Sequence, residues 1–102
     1  MKITSNGATV KVSDLCELAN GNSGSFQTAV RAALPPGIKQ IEIDFSRVGF
    51  FDCGGIGALV AVRNAVHGLG DDITVRILNP SGQVRRMFRL TRMEELFPID
   101  CR

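Results

Sequence analysis

One stretch of sequence decides the fold of this chain: Phe50-Phe51-Asp52-Cys53-Gly54-Gly55-Ile56-Gly57. We expect it to join a strand to an apolar helix, with Asp52 before the helix and glycines that allow close backbone approach. The first N–H groups of such a helix have no partner within the helix and can meet a protein or an anion. Neither Cys53 nor Gly54 offers a hydroxyl for phosphorylation. The stretch is therefore predicted to be a docking site displayed at the surface.

A helix is predicted directly after this stretch. Its apolar stripe consists of Leu59, Val62, Val66 and Leu69. This helical spacing predicts a helix from Gly55 to about Leu69, with stop signals at Gly68 and Gly70. Arg63 and His67 lie one turn apart on another stripe, and we interpret His67 as a surface residue.

Two strands are predicted where apolar and polar residues alternate. The apolar positions are Ile41, Ile43 and Phe45 in one strand and Ile73, Val75 and Ile77 in the other. After the second strand, Asn79-Pro80 ends the extended segment and Ser81 can cap a helix that carries Val84, Met87 and Phe88. The order strand, helix, strand, helix predicts two parallel neighbouring strands with helices packed on the sheet.

The ends of the chain are predicted to add smaller elements. Val10 and Val12 alternate with polar residues after an Asn6-Gly7 turn signal, which indicates a hairpin or an edge strand pair. Asn20–Ser25 is predicted to be a loop, with Ser25 as the N-cap of the next helix. That helix would carry a stripe of Phe26, Ala29, Val30, Ala33 and Leu34 and would end at Pro35-Pro36-Gly37. The tail from Glu94 to Arg102 leaves room for a short further element.

The composition indicates one small folded domain spanning residues 1–102. Hydrophobic residues make up 44% and charged residues 22% of the chain, as in an ordinary soluble protein. The longest uncharged apolar run, Ile56–Val62, is much shorter than the roughly 20 residues that cross a bilayer. Because the start Met-Lys-Ile-Thr has no secretory hydrophobic region, we expect a cytoplasmic protein without membrane insertion. A net charge of +2 is too small to drive nucleic-acid binding without a local patch.

No catalytic, metal or cofactor site is predicted. The cysteines form an odd set without a Cys-x-x-Cys pair: Cys16, Cys53 and Cys101. With His67 as the single histidine, this set argues against a disulfide framework and against a structural zinc site. Asp44 and Asp52 resemble a carboxylate pair, but the sequence supplies neither a nucleophile nor a metal partner for them. We therefore predict that the domain is not an enzyme.

The remaining candidate residues each allow two interpretations. Asp52 can cap the turn, contact a partner, or do both. Cys53 can be a reactive thiol at a helix N-terminus or a small buried residue that keeps the shape of the loop, and Cys16 and Cys101 are interpreted as packing and tail residues. An arginine stripe at helical spacing, with a fourth arginine adjacent, can meet phosphates or an acidic partner, although a solvated face is favoured: Arg85, Arg89 and Arg92, with Arg86.

The segments Ile41–Leu59 and Asn79–Phe88 together resemble a STAS domain, the sulfate-transporter and anti-sigma-factor-antagonist family. The resemblance covers roughly residues 38–97. Its core is the family's run of aspartate, two hydroxyl positions, glycine, leucine and glycine at the start of a helix. It implies a single STAS-like α/β domain, in which a mixed, mostly parallel sheet is flanked by helices.

The resemblance also implies a function in transcription regulation. In bacterial antagonists the loop is phosphorylated by the anti-sigma factor, a serine kinase of the ATPase type, and the phosphate breaks the complex. A dianionic group within an interface changes local charge and adds bulk. Unmodified antagonist binds the anti-sigma factor and thereby frees the sigma factor, so the domain acts by partner switching.

The motif is carried over position by position. The family's aspartate, glycine, leucine and second glycine correspond to Asp52, Gly55, Ile56 and Gly57, and its two hydroxyl positions hold Cys53 and Gly54. The resemblance therefore implies partner binding by residues 52–57, without the usual phosphorylation switch. The first half of the chain departs from the family, because Glu17–Asn20 stands where the family tends to have Gly-x-Leu-Asp.

Two alternative functions stay open from the sequence. The chain can be the STAS subunit of a membrane assembly that transports lipids or anions, for which the missing hydroxyls are irrelevant. It can also be a redox sensor or thiol enzyme that works through Cys53.

Overall fold

A five-stranded sheet forms the centre of the molecule in the computed structural model, which describes residues 1–70 and 72–101. The elements in chain order are β1 (Lys2–Asn6), β2 (Thr9–Ser13), β3 (Glu17–Leu18), α1 (Ser23–Ala32), β4 (Gln40–Asp44), β5 (Phe50–Phe51), α2 (Cys53–His67), β6 (Thr74–Leu78), α3 (Gly82–Leu90), a 3-10 helix (Met93–Glu95) and β7 (Ile99–Asp100). The strand order is β1-β2-β4-β6-β7, and β3 pairs with β5 in a separate two-stranded sheet. The predicted α/β class with a mixed, mostly parallel sheet is confirmed.

The hairpin predicted at Asn6-Gly7 is confirmed. Strands β1 and β2 pair antiparallel, and Gly7 between them has a φ of +62°. Glycine adopts this left-handed conformation without the steric cost that a Cβ brings. Val10 and Val12 are fully buried, and Lys11 between them is exposed. The alternation of apolar and polar residues therefore corresponds to the buried and exposed faces of β2.

The two strands predicted from alternation lie side by side. Strands β4 and β6 are parallel, with Ile41 opposite Val75 and Ile43 opposite Ile77. On its other side β4 pairs with β2, again in parallel. Helix α2 lies between β4 and β6 in the chain, and parallel neighbours need such a crossover connection.

The two faces of the main sheet differ in polarity. One face, which includes Ile41 and Ile43, forms a single core with apolar side chains of all three helices. On the opposite face the register aligns Thr4, Lys11, Glu42 and Arg76 across four strands. Glu42 is 8% exposed and accepts a hydrogen bond from Gln40 Nε2 at 2.8 Å. Helices cover the apolar face and leave a polar face toward water.

The N-cap predicted at Ser25 is wrong. Helix α1 begins at Ser23, and Asn22 occupies the N-cap position. The side chain of Asn22 accepts a hydrogen bond from Ala19 N and donates one to Glu17 O, both at 2.8 Å, and so fixes the turn that leads into the helix. Of the predicted apolar stripe, the residues that are fully buried are Phe26 and Val30. The helix ends ahead of Pro35-Pro36-Gly37, as predicted.

Helix α2 is confirmed, but the burial expected for Leu69, the last residue of its apolar stripe, is not. Leu59, Val62 and Val66 are fully buried, whereas 67% of Leu69 is exposed. The helix ends at His67, so the chain beyond it no longer follows the helical stripe. Gly68 takes the C-cap position with an ordinary right-handed φ of −71°.

Helix α3 begins at the predicted cap. The N–H group of Val84 donates to Ser81 Oγ at 3.3 Å. Arg92 lies beyond the helix with a φ of +60°, so it does not continue the predicted arginine stripe. The short element predicted in the tail is the 3-10 helix followed by β7, which pairs in parallel with β6. Arg102, the last residue of that prediction, lies outside the described residues.

Candidate protein-interaction site

The predicted docking stretch lies where β5 ends and α2 begins. Asp52 is the N-cap of α2, and its extended backbone has φ −129° and ψ −171°. Its Oδ1 atom accepts hydrogen bonds from Gly55 N and from Asn20 N, each at 3.2 Å. The first bond is a local cap, as predicted. The second bond joins the helix start to a loop far away in the sequence.

Cys53 is the first residue of α2 and is exposed. The interpretation of Cys53 as a small buried residue is therefore wrong, and the same holds for Cys16, which is also exposed rather than packed in the core. Cys101 is exposed in the tail, as expected, and all three cysteines are free thiols.

Gly54 is closed off by the backbone of Asn20. A Cβ at position 54 would lie 2.5 Å from both the Cα and the N atoms of Asn20. Distances this short require a shift of main-chain atoms, which cannot rotate away as the end of a long side chain can. Position 54 thus has no room for a hydroxyl side chain as long as the 19–22 loop stays in place.

Gly55 is fully enclosed beneath the helix start. A Cβ here would collide with the carbonyl oxygen of Leu18, and it would lie 2.8 Å from the Phe51 ring. Gly55 belongs to the predicted site, but it is buried, so its backbone is not accessible to a partner in this conformation. Gly57 lies two residues further along α2. It is exposed, and a Cβ there would meet open space.

The small sheet of β3 and β5 brings these contacts about. Glu17 lies opposite Phe50 and Leu18 opposite Phe51, in parallel register. Two-residue strands carry too little alternation to be found from sequence, so the pairing was not predicted. It places the 19–22 loop against the start of α2. The only sequence signal for this arrangement is the Asn20-Gly21-Asn22 turn composition.

The fold and the helix start match a known family over nearly the whole chain. Residues 1–98 match the family described as "Mlab, STAS domain". The chain belongs to the STAS domain family. No curated protein matches it in sequence.

A solved structure has the same fold. The crystal structure of a candidate anti-sigma factor antagonist from Thermotoga maritima superposes with a TM-score of 0.85 at 20% sequence identity. The match covers 97% of this chain and 84% of the other. At this low identity the likeness concerns the fold of the STAS domain.

Four phenylalanines support the helix start of this STAS domain from below. The Phe51 ring stacks on Phe88 with centroids 5.3 Å apart and meets Phe45 edge-on at 5.4 Å. Phe88 in turn meets Phe45 at 5.9 Å and Phe97 at 6.4 Å. Such offset and edge-to-face pairs add to the energy of burial. The cluster joins β5, α3 and the tail of the chain into one rigid support for the site.

The two aspartates do not form a reactive pair. Asp44 Oδ1 accepts a hydrogen bond from Ser46 N at 2.9 Å, and Asp52 is bonded to Gly55 N and Asn20 N. Each carboxylate thus holds backbone N–H groups, that of Asp44 locally and that of Asp52 both locally and in the 19–22 loop. Across residues 1–70 and 72–101, no group of three His, Cys, Asp or Glu side chains could hold a metal ion. No helix in the same residues has the length and apolar character needed to span a bilayer.

Proposed function

We propose that this STAS domain is a non-catalytic binding module that acts as an anti-sigma-factor antagonist, with an anti-sigma factor of the serine-kinase ATPase type as its partner. The contact surface would be the start of α2, where Cys53 and Gly57 are exposed and Asp52 and Ile56 are half-buried. Because Gly54 and Gly55 are packed against the 17–20 segment, the surface keeps one shape before the partner arrives. Preorganisation of this kind lowers the entropic cost of binding.

The proposal includes the loss of the phosphorylation switch. The observation that carries it is the pair of positions at the helix start, where an exposed thiol and a glycine without side-chain space replace the two hydroxyls. A kinase that transfers phosphate to a serine or threonine hydroxyl has no acceptor at either position. Binding would then be constitutive or regulated by other means.

The binding surface is tested by adding charge at the first turn of α2. Cys53→Asp places a carboxylate at the exposed position, and Gly24→Asp places one in the first turn of α1, where a Cβ meets open space. Binding to the anti-sigma factor, measured by calorimetry, should weaken about tenfold or more in Cys53→Asp, because like charges or unpaired charges at an interface cost several kcal/mol. Gly24→Asp should bind as the wild type does. Equal affinity of all three proteins would refute the proposed surface.

The missing switch is tested with the same partner and ATP. The wild-type chain should take up no phosphate at positions 53 and 54, as read by mass spectrometry of its peptides. Cys53→Ser restores a hydroxyl at the exposed position and should be phosphorylated, which then should release it from the partner. Stoichiometric phosphate on residue 53 or 54 of the wild type contradicts the proposal.

A role as the STAS subunit of a membrane transporter assembly is the second candidate, since such a subunit needs no phosphoacceptor. Affinity capture from native membranes and cytosol, followed by mass spectrometry, separates the two. An ATPase-type kinase in the captured fraction supports the antagonist role, and a transporter component supports the second. A redox role for Cys53 stays a prediction, to be tested by the rate of thiol alkylation as a function of pH.

A further inference from the structure

An apolar groove separates β5 from α3, next to but distinct from the start of α2. Its volume is about 300 Å³. The residues that line it are Gly49, Phe50, Phe51, Gln83, Val84, Arg86, Met87 and Leu90. Phe50 is 55% exposed and Leu90 is 74% exposed, although both are large apolar side chains. Adjacent exposed apolar side chains of this size mark an interaction site more often than isolated ones do.

The floor of the groove is formed by Phe51, which packs on the buried aromatic cluster. The Phe51 ring stacks on Phe88 at 5.3 Å, and Phe88 is fully buried in the aromatic cluster. Helix α3 forms the other wall with Gln83, Met87 and Leu90 together with the buried Val84, while Phe88 lies in the core. The groove therefore lies directly against the packed core.

Helix α3 brings positive charge to one edge of the groove through Arg86. Helix α3 contains three arginines and no acidic residue, and all three are exposed: Arg85, Arg86 and Arg89. Within the described chain none of them lies within 4.0 Å of a carboxylate oxygen, since the ion pairs there involve other residues, Lys39 with Asp72 and Arg47 with Asp14. Arg86 lines the groove itself. Arg85 is outside the groove lining and donates a hydrogen bond to Cys101 Sγ at 3.7 Å. An apolar cleft with the exposed guanidinium group of Arg86 at its edge complements a ligand that presents apolar side chains flanked by carboxylates.

We propose that this groove binds an acidic amphipathic segment of a protein partner, which inserts leucine-sized side chains between Phe50 and Leu90 and pairs a carboxylate with Arg86. Recognition of this kind is typical of helices laid into grooves, with anchors at positions i, i+3 and i+7. The site does not depend on the start of α2, so it stands or falls separately from the antagonist function proposed above.

The test is a titration of the full chain with a labelled synthetic helical peptide that carries leucines at i, i+3 and i+7 and glutamates beside them. A second peptide has lysines in place of the glutamates. We expect the glutamate peptide to bind, with amide shifts in NMR spectra that concentrate in residues 49–51 and 83–90. The lysine peptide should bind about tenfold more weakly or not at all, and added salt should weaken the glutamate peptide.

Two pairs of variants locate the site. Leu90→Ser should weaken the glutamate peptide by about tenfold, because the burial of one leucine side chain changes affinity by roughly this factor. Leu69→Ser is the matched control, since Leu69 is the other strongly exposed leucine, and it should leave the affinity unchanged. Arg86→Glu should shift the preference toward the lysine peptide, whereas Arg31→Glu on α1 should not.

Several results would overturn the proposal. They are the absence of binding by the glutamate peptide, equal binding of both peptides, or equal losses in Leu90→Ser and Leu69→Ser. Dimerisation of the wild type in sedimentation runs that Leu90→Ser abolishes would make a second copy of this chain the occupant. If Cys53→Asp loses the anti-sigma factor but still binds the peptide, the two surfaces are independent.

Discussion

The starts of helices α2 and α3 look alike locally but differ in what surrounds them. Asp52 and Ser81 are both extended N-caps whose side chains accept a hydrogen bond from the N–H group three residues later. Only Asp52 also accepts one from a distant loop, at Asn20 N. Behind it Gly54 is packed on main chain, whereas Gly82 at the start of α3 faces open space. A cap is thus a local feature, whereas the packing around a helix start is decided by the tertiary structure.

The largest difference is expected at the enclosed glycine. Gly55→Ala should lower the free energy of unfolding by about 3 kcal/mol, because its Cβ collides with the Leu18 carbonyl and the Phe51 ring. This is the upper end of the usual cost of overpacking a core. Gly82→Ala should be neutral or slightly stabilising, since it fills open space and alanine favours helix. Urea unfolding of both variants measures the contrast. Equal stability of the two would show that the packing at Gly55 is loose.

The next contrast lies within the motif. Gly54→Ser should cost about 2 kcal/mol, because the new side chain must displace the Asn20 backbone. Cys53→Ser should change stability by no more than about 0.5 kcal/mol, as is usual for exposed positions. Thermal unfolding of the two variants decides this. A Gly54→Ser protein as stable as Cys53→Ser would contradict the claim that this position lacks space for a hydroxyl.

The caps themselves should differ by a smaller amount. Asp52→Ala removes an acceptor that serves two N–H groups and should cost about 2 kcal/mol, against about 1 kcal/mol for Ser81→Ala, both within the range known for N-caps. Asp52→Asn keeps an acceptor oxygen and should recover most of the loss. If combining Asp52→Ala with Gly54→Ser gives a loss well below the sum of the two single losses, both act on the same 19–22 loop.

The smallest effect is expected far from both helix starts. The hydrogen bond from Lys39 Nζ to Asp72 Oδ2, 2.6 Å long, lowers the pKa of Asp72 below its ordinary value of 3.8, and the positive charge of Lys39 adds to this. A carboxylate with a lower pKa in the folded state stabilises the fold above its unfolded pKa, and this contribution is lost as the pH falls through the folded pKa. Since both groups are exposed, the effect on stability is small. NMR titration should show the pKa of Asp72 rising toward its ordinary value in Lys39→Gln; an unchanged pKa speaks against the pair.

The sequence predicted those elements whose pattern is local and long enough to repeat. Alternation located β4 and β6, helical spacing located α2, and the residue types at Asp52 and Ser81 located both caps. It failed at the start of α1. Ser25 is a good N-cap by residue type, but the helix begins at Ser23, after a turn in which the Asn22 side chain bonds to the backbone of Ala19 and Glu17.

The sequence indicated which residues form the candidate site, but not which of them are exposed and which are buried. The stretch 52–57 was identified from one aspartate and three glycines, and the structure separates its members into exposed Cys53 and Gly57 and buried Gly55. The apolar groove was not predicted, because Phe50 and Leu90 are far apart in the chain and only the packing of β5 beside α3 brings them together. The periodicity of a sequence does not predict contacts between segments that are far apart in the chain.

The sequence by itself determined the order of the longer strands and helices, the caps of α2 and α3, and the absence of hydroxyls at positions 53 and 54, because backbone propensity, capping and side-chain chemistry act within a few residues. Only the tertiary structure decided that Gly54 has no space for a side chain, that Cys53 is exposed, and that an apolar groove with Arg86 in its lining lies between β5 and α3. These features depend on which segments meet across the fold. Close packing fixes such meetings, and no single segment contains the information for them.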